Sequence, residues 1–416
     1  MQGPVITVDV SKGSCHYQPY VSNGHPMRKP KVLHDTVEGF QSLSDLIDTM
    51  KDRYECETIP VIFEATGVYH RCLQKYLDDH QIPYYIISPL MSASYRKTTP
   101  NSNKTDDLDC SHIAKAYYGE CNLFPYDKPS KSFHNLRELN RYYECELNHL
   151  RMRKNTFRKY LDIVYPRLDK CFKGHSSLYD EIPMEVIKQY PHPSLLLKHK
   201  EETIVKKIEK KTSHNASFIQ NIVHEMYECS MHCYSGADVT DVESMILPEL
   251  VDDLQSQEER CDEILKQLVS EAQKTPYFTS IVSIVGIGDN LAARIIAELG
   301  DMSRFSCRRA ITAYAGLNPK IRQSGDMDGI HLAISKKGNK HLRCLMYLAV
   351  SCNYRLKKCD VLYEFNQKKR QQSFSPLKPK AATIATAHKL LLIIYALCTN
   401  LSLIHISEPT RHSLIS

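Results

Sequence analysis

Residues 5–10 read Val-Ile-Thr-Val-Asp-Val, an apolar run with the composition and length of a strand and with one acid, Asp9, inside it. A carboxylate in a central strand is costly unless a cation neutralises it. A second apolar run ends on Glu64 and leads into a glycine turn at Gly67. The two runs therefore predict two buried strands that present acids, as a metal site would require.

A third acidic segment follows at residues 104–110, Lys-Thr-Asp-Asp-Leu-Asp-Cys, which reads as the start of a helix capped by Thr105 or Asp106. Residues three apart share a helix face, so Asp106 and Asp109 can point at one ion. Ligation by carboxylates alone favours Mg²⁺ or Mn²⁺ over Zn²⁺, and two such ions about 4 Å apart can promote phosphodiester cleavage. The four acids predict metal-dependent phosphoryl transfer.

The order of segments indicates how these acids are held. Strands are predicted at 5–10, 16–21, 31–37, around Glu64 and at 83–88, with helices at 40–50, at 69–80 and from Asp106 onward. Three strands followed by alternating helices and strands are typical of a mixed sheet with helices packed on it. This is the pattern of an α/β ribonuclease H-like domain.

Charge is unevenly distributed along the 416 residues, although the formal net charge is only +6. Residues 128–173 hold 12 Lys and Arg against 5 Asp and Glu, residues 215–301 hold 4 against 16, and residues 302–380 hold 17 against 4. The last excess favours a polyphosphate partner, that is, nucleic acid.

The 15 cysteines are scattered and form no CxxC pair, which favours a reducing cytoplasm over a disulfide framework. His224, Cys229, His232 and Cys233 could ligate zinc, but their spacing fits no structural zinc site well, and no zinc is predicted. No signal peptide is expected, and the longest apolar run, 390–398, is too short to span a bilayer. A soluble protein of the cytoplasm, without a membrane partner, is expected.

The middle of the chain contains two long helical patterns. Apolar residues recur at seven-residue spacing between Leu136 and Val164 on a basic helix, and a cleaner heptad run extends from Leu247 to Leu268. These two coiled-coil candidates could pair with each other or with a second subunit, and the pattern does not decide between them. Residues 167–245 are expected to form an insertion of mixed helix and loop.

The C-terminal region offers a phosphate-binding turn and a nucleophile. Gly286-Ile287-Gly288 precedes a helical pattern and resembles a helix-hairpin-helix, in which backbone N–H groups face a phosphate. Ser324 lies beside Gly325 in a basic segment, where a hydroxyl nucleophile would be exposed. Ser335 lies in a similar basic segment, and physical reasoning alone does not separate the two serines.

These residues together resemble the DEDD transposases of the insertion-sequence one-ten type. The resemblance covers roughly residues 5–120 and 275–400, and it rests on motifs in both regions. In the first region these are Asp9, Glu64 and Lys104-Thr105-Asp106-x-x-Asp109; in the second they are Gly286-Ile287-Gly288, Ala315-Gly316-Leu317-x-Pro319, Ser324-Gly325 and Ser335-Lys336-x-Gly338-Asn339-x-x-Leu342-Arg343. Cys110 stands where the family usually has alanine.

The resemblance implies an RNA-guided recombinase in which a structured guide RNA pairs with donor and target DNA. It implies that Asp9, Glu64, Asp106 and Asp109 hold Mg²⁺ and that Ser324 attacks the phosphodiester to form a phosphoserine link. Acids of one subunit and the serine of another would meet in a homo-oligomer, a dimer or a tetramer. Contacts to nucleic acid are expected from Lys104, Gly286, Gly288, Lys336, Lys337, Asn339 and Arg343.

The implied organisation is a RuvC-like domain at 1–125, a coiled coil and helical insertion at 126–274, a mainly helical transposase domain at 275–400 and a non-native tail at 401–416. Three other functions remain open. A junction-resolving nuclease would need the acids but not Ser324, and a site-specific DNA invertase would use the same residues. A nucleic-acid-binding scaffold would need neither.

Overall fold

The structure is a computed structural model, which describes residues 3–12, 15–64, 67–87, 106–119, 131–172, 174, 176–318, 323–324, 327–328, 334–356, 361–373 and 375–399. For 106–108, 323–324 and 327–328 it describes the backbone alone. The chain divides into two compact units, residues 1–128 and 129–416. Each unit is described by itself.

The described residues of the first unit contain a mixed sheet of six strands with the spatial order β3-β2-β1-β5-β6 and with β4 paired to β2. Strand β1 is antiparallel to β2 and parallel to β5, which is parallel to β6. The strands are β1 (Val5–Val10), β2 (Cys15–Ser22), β3 (His25–Pro26), β4 (Lys31–Leu33), β5 (Val61–Glu64) and β6 (Tyr84–Ile87). The two central strands, β1 and β5, are the two that carry Asp9 and Glu64.

Helices cover both faces of this sheet. Helices α1 (Val37–Tyr54) and α2 (Arg71–Asp79) pack on one face, where Ile6 and Val8 contribute to the core. Helix α3 (Asp106–Gly119) packs on the other face, against Val5 and Ile62. The alternation of β1 between two cores explains why its run is apolar at nearly every position.

The sequence prediction agrees with this order and is compatible with a ribonuclease H-like domain. It was wrong in some boundaries: the strand predicted at 31–37 ends at Leu33, and the helix predicted at 40–50 spans Val37–Tyr54. Thr36 instead caps α1, and its side chain accepts a hydrogen bond from the Gly39 N–H at 3.1 Å. The short strand β3 had no signal in the sequence, because two residues give no periodicity.

In the second unit, the two long helices predicted from heptad spacing pack against each other within the chain. Helix α4 (Lys131–Val164) and helix α10 (Leu247–Gln273) have their closest partners in reverse order: Tyr143 packs with Ile264, and Phe157 lies in the same buried cluster as Leu254. The helices are therefore antiparallel.

The insertion between them forms a helical subregion. Its helices are α5 (Glu181–Gln189), α6 (Pro193–Leu197), α7 (Glu201–Glu209), α8 (Ala216–Met231) and α9 (Val242–Met245), with a 3-10 turn at Leu168–Lys170. Apolar side chains of α5, α6, α7 and α8 form one buried core together with the adjoining ends of α4 and α10.

One cysteine pair was not predicted from the sequence, which indicated only that the cysteines form no disulfide framework. Cys171 and Cys229 form a disulfide, with their Cα atoms 6.2 Å apart, because α8 packs beside the segment that follows α4. Cysteine spacing alone could not reveal this pair, since the two residues are 58 positions apart. Cys233 belongs to the free cysteines of the described chain and lines the same surface cavity as the disulfide and His232.

The C-terminal helices pack around a second core. They are α11 (Phe278–Val282), α12 (Asp289–Leu299), α13 (Arg308–Ala315), α14 (Lys340–Leu356), α15 (Val361–Gln371) and α16 (Pro379–Thr399), with a 3-10 turn at Met302–Arg304. Among the described residues, α16 alone is long and apolar enough to cross a membrane by length and composition, a test that a core helix also passes. Leu390, Leu391 and Ile394 of α16 are buried in this core.

Candidate functional site

Asp9 and Glu64 lie side by side near the carboxyl ends of the two central strands of the sheet. Strands β1 and β5 are parallel with Val8 opposite Phe63, so Asp9 and Glu64 hold the next position on the two neighbouring strands. Side chains alternate between the faces of a strand, so Asp9 follows Val5, and Glu64 follows Ile62, on the face covered by α3. Both acids are half-buried near the carboxyl ends of their strands.

Helix α3 brings Asp109 to the same end of the same face. Cys110 donates a hydrogen bond from Sγ to the His16 carbonyl at 3.4 Å, and His16 is the residue paired with Asp9 across β1 and β2. At its other end, the Tyr118 hydroxyl donates to the Gly3 carbonyl at 2.9 Å. The helix therefore runs antiparallel to β1, with its N-terminal part beside Asp9.

The surroundings of Asp109 are enclosed. Its side chain is buried, and the equally buried His112, one turn later, has Nδ1 4.0 Å from Asp109 Oδ1. Asp106 lies three residues before Asp109 on the same helix; its side chain, like the whole of Lys104, lies outside the described residues. Among the side chains that the structure describes, no group of three or more His, Cys, Asp or Glu is close enough to hold a metal.

The Cys110 thiol reports on the electrostatics beside these acids. Burial raises its pKa to about 12, and the negative charges of Asp9 and Asp109 act in the same direction. The thiol is therefore protonated at neutral pH and serves as a hydrogen-bond donor. A neutral side chain at this position leaves the negative charge of the site to the carboxylates.

The second candidate, Ser324, lies at the tip of a short hairpin in the second unit. Strand β7 (Gln323–Ser324) pairs antiparallel with β8 (Met327–Asp328), and Ser324 is opposite Met327. The backbone at Ser324 thus immediately precedes the two residues that link the strands. Ser335 differs from Ser324 because it lies outside the hairpin, and its backbone N–H donates to the Asn318 carbonyl at 2.7 Å.

The two glycines of the Gly286-Ile287-Gly288 turn have different environments. Gly286 has φ +91°, and a Cβ there would lie 2.6–2.9 Å from atoms of Asn353 on α14. Gly288 precedes α12, and a Cβ there would meet nothing within 4 Å. A shallow cavity of about 470 Å³ adjoins both glycines, with Arg355 in its wall. Packing explains Gly286, whereas Gly288 is open to a ligand.

The other predicted nucleic-acid contacts also separate into two groups. Lys336 and Lys337 are exposed. Arg343 donates from Nη1 to the carbonyls of Ala315 and Gly338, at 3.0 and 3.3 Å, and Asn339 makes hydrogen bonds within the chain from both ends of its amide. Asn339 and Arg343 therefore also stabilise the fold through hydrogen bonds within the chain.

Sequence reasoning missed the partner of Asn339, which is Glu298 on α12. Its carboxylate is fully buried and accepts hydrogen bonds from Asn140, Arg141 and Asn339 at 2.7–2.8 Å. An acid at an otherwise apolar helix position was the available signal, since charged side chains are seldom fully buried unless paired.

Two comparisons with known protein families match the two halves of this description. Residues 6–166 match the DEDD transposase profile of IS110, described as a transposase, and residues 279–364 match the profile of the transposase IS116/IS110/IS902 family. Both profiles describe transposases, and they match in the order in which the acids and the serine occur.

Individual relatives agree with these matches. An uncharacterized 44.8 kDa protein of insertion element IS116 from Streptomyces clavuligerus is 23% identical over 360 residues, which is 83% of each chain. A probable family 20 transposase of Pseudomonas aeruginosa is 30% identical over 101 residues, 24% of this chain and 30% of the relative. The transposase for insertion sequence element IS1111A of Coxiella burnetii is 31% identical over 101 residues, 24% of this chain and 28% of the relative. The matched stretch thus spans less than a third of the last two relatives.

The class of protein that the two profiles define is therefore that of the DEDD transposases. More specifically, the chain belongs to the IS110 type, the family that also includes IS116.

Proposed function

We propose that this chain is a DNA transposase that cleaves and rejoins donor and target DNA with a set of carboxylates and a serine nucleophile. The observation that carries the proposal is the convergence of Asp9, Glu64 and the start of α3 on one end of one sheet face. Structural acids have no reason to converge, because like charges repel when they are brought together in a partly buried place.

The donor set fits Mg²⁺, with Mn²⁺ as the substitute. Asp9, Glu64, Asp106 and Asp109 offer carboxylate oxygens alone, and hard divalent cations prefer such ligands. A bound ion would polarise the phosphodiester and stabilise the developing charge on its oxygens. The chain's own part is to hold the carboxylates on rigid strands and a helix, with Cys110 kept neutral among them.

Ser324 is the proposed nucleophile. In the exchange step its Oγ forms a bond to phosphorus, the bond from phosphorus to a sugar oxygen of DNA breaks, the hydroxyl proton passes to a solvent base, and the leaving oxygen takes up a proton. The covalent link conserves the phosphodiester energy for rejoining. The position of Ser324 at the end of its hairpin strand supports this role over Ser335, whose backbone N–H is bonded to the Asn318 carbonyl.

Nucleic acid is the proposed partner, as donor and target DNA and as a structured guide RNA. The basic residues concentrated at 302–380 support it, and the exposed Lys336 and Lys337 belong to this region. We interpret the turn between α11 and α12 as a helix-hairpin-helix that binds a phosphate through Gly288, and the α4–α10 pair as a coiled coil. A dimer or tetramer would allow the acids of one subunit to serve the serine of another.

A junction-resolving nuclease is the second candidate, and one observation favours it. The described acids and the elements that hold them belong wholly to the unit of residues 1–128. Such a site could use water in place of a serine. An invertase would share all the residues, and the DNA around the gene would distinguish it.

Glu64→Gln tests the carboxylate site, with Cys110→Ala as the matched control. The first variant removes one charge at the sheet edge, and we expect Mg²⁺-dependent cleavage of DNA carrying the element's ends to fall by at least about a hundredfold. The second variant removes a buried thiol beside the acids, and we expect cleavage to stay within about threefold of the unmodified protein. Full cleavage by Glu64→Gln, at unchanged thermal stability, would exclude the proposed site.

A further inference from the structure

Glu298 is the centre of a buried hydrogen-bond cluster in the C-terminal core, which we call the Glu298 cluster: Asn140, Arg141, Glu298, Tyr314 and Asn339. Asn140 donates to Oε1 at 2.8 Å, while Arg141 and Asn339 donate to Oε2 at 2.8 and 2.7 Å. The Tyr314 hydroxyl donates to the Glu298 backbone carbonyl at 2.9 Å. The carboxylate is thus satisfied on both oxygens although it is fully buried.

Asn339 connects this cluster to the start of α14. Its Nδ2 also approaches the Tyr314 hydroxyl at 3.1 Å, and its Oδ1 accepts from the N–H groups of His341 and Leu342 at 3.0 and 3.1 Å. Its own N–H donates to the Tyr314 carbonyl at 2.7 Å. One residue is therefore fixed simultaneously to α12, to α13 and to the N-terminus of α14.

The chain immediately before Asn339 is held just as closely. Gly338 has φ +148°, and a Cβ there would lie 2.5 Å from the Tyr314 carbonyl oxygen and 2.7 Å from the Gly316 nitrogen. Lys336 donates from its N–H to the Gly316 carbonyl at 3.2 Å, and Ser335 donates to Asn318 at 2.7 Å. The backbone of Ser335 and Lys336 is consequently held against Asn318 and Gly316, and we call this paired part of the chain the base.

Ser324 lies between Asn318 and Ser335 in the chain, so the base holds the two chain segments that lead to its hairpin. We propose that Glu298 and Asn339 are positioning residues that fix this base and so orient the serine for attack; the inference rests on the proposed role of Ser324. Reaction rates fall steeply when a nucleophile is misplaced by about 1 Å.

Stability alone is a poor explanation for the cluster. Replacing a buried ionic group by well-packed apolar side chains is often neutral or stabilising, because the polar groups must be removed from water. Hydrogen bonds, unlike apolar contacts, are directional, so the cluster selects one arrangement of α12, α13 and α14. A requirement for direction is expected where a reactive group must be aimed.

Exchanging the two side chains tests the proposal. Asn339→Asp keeps the acceptor that caps α14 but sets a second carboxylate against Glu298. Glu298→Gln alone removes an acceptor. The double variant restores an amide opposite a carboxylate with the roles reversed. The full-length protein is incubated with Mg²⁺, RNA transcribed from the region flanking its gene and labelled DNA carrying the element's ends, and the rate of covalent protein–DNA adduct formation is measured at saturating DNA.

We expect Asn339→Asp to slow adduct formation at least tenfold with DNA affinity changed less than threefold, and the double variant to recover most of the rate. Gln257→Glu is the matched control. Gln257 donates from Nε2 to Glu146 Oε2 at 2.7 Å in the buried contact between α4 and α10, far along the chain from the serine. Like Asn339→Asp, the Gln257→Glu variant creates a buried pair of acids. We expect it to lower the melting temperature while leaving the adduct rate of the folded protein unchanged.

Three results would overturn the inference. The first is an unchanged adduct rate in folded Asn339→Asp. The second is a double variant that recovers thermal stability but not rate. The third is a Gln257→Glu control that loses rate as much as Asn339→Asp. Ser324→Ala is measured in parallel to separate the two proposals: adducts that persist in Ser324→Ala contradict the serine mechanism itself, whatever the cluster variants do.

Discussion

At the scale of single residues, the two glycines of the Gly286-Ile287-Gly288 motif have different structural roles. Gly286 has φ +91° and lies against the backbone of Asn353, whose Nδ2 also donates to the Val285 carbonyl at 2.9 Å. Gly288 has φ −90°, which any residue can adopt, and open space around it. The motif therefore contains one packing glycine and one glycine available to a ligand.

Gly286→Ala and Gly288→Ala should consequently differ in their effects on the free energy of unfolding and on DNA binding. We expect Gly286→Ala to lower the free energy of unfolding by at least about 2 kcal/mol, because left-handed strain and a backbone clash add. Gly288→Ala should change it by less than about 1 kcal/mol and should weaken DNA binding if a phosphate approaches the turn. Denaturant unfolding and DNA titration measure both. Equal stability losses in the two variants would contradict the distinction.

At the scale of elements, the apolar helix α16 owes its position to the core that it completes. Cys398 near its end is buried beside the other apolar side chains of this core. Burial raises the pKa of its thiol to about 12, from the usual value of 9.0. The thiol is therefore protonated over a wider pH range in the folded chain than in the unfolded chain.

This difference predicts a loss of stability in alkali. Below pH 9 the thiol is protonated in both states; between about pH 9 and 12 the unfolded chain loses the proton first, so the free energy of unfolding falls as pH rises, by up to about 1.4 kcal/mol per pH unit from this group. Cys398→Ala should show a shallower fall in chemical denaturation between pH 9 and 11. Cys344→Ala, which alters an exposed thiol of α14, should match the unmodified protein. Parallel curves for all three proteins would contradict the assignment.

Heptad spacing predicted the two long helices and their buried positions, but neither that they contact each other nor the chemistry of that contact. The positions from Leu136 to Val164 and from Leu247 to Leu268 do lie in buried clusters. One position, Gln257, is polar and donates to Glu146. A pattern of apolar residues contains no information on which polar groups will satisfy each other, since that depends on contacts distant in the chain.

At the scale of the whole molecule, local signals predicted the elements, and long-range contacts escaped prediction. The strands at 5–10 and around Glu64 were predictable because buried strands give continuous apolar runs. The Cys171–Cys229 disulfide and the contacts of Glu298 with Asn140 and Arg141 were not, because their members are separated by 58 residues and by more than 150 residues, respectively. The placement of Asp9 beside Glu64 followed only from the register of two parallel strands.

The two family profiles match separate ranges of the chain. The first profile covers the acids and all of α4, and the second covers the turn at Gly286, the serine hairpin and the start of α15. The helical insertion at 167–245 falls between the two matched ranges. The chemistry proposed for this chain thus depends on two segments that the insertion separates in sequence.

The most direct test of that chemistry is to find the residue that becomes attached to DNA. The full-length protein is incubated with Mg²⁺, flanking-region RNA and labelled DNA carrying the element's ends, and the adduct that survives denaturation is digested and sequenced by mass spectrometry. The account predicts a nucleotide on Ser324, formed only with RNA and lost in both Ser324→Ala and Asp9→Ala. A nucleotide on Ser335, or cleaved DNA with no adduct at any residue, would contradict it, and the second result would identify a nuclease that uses water.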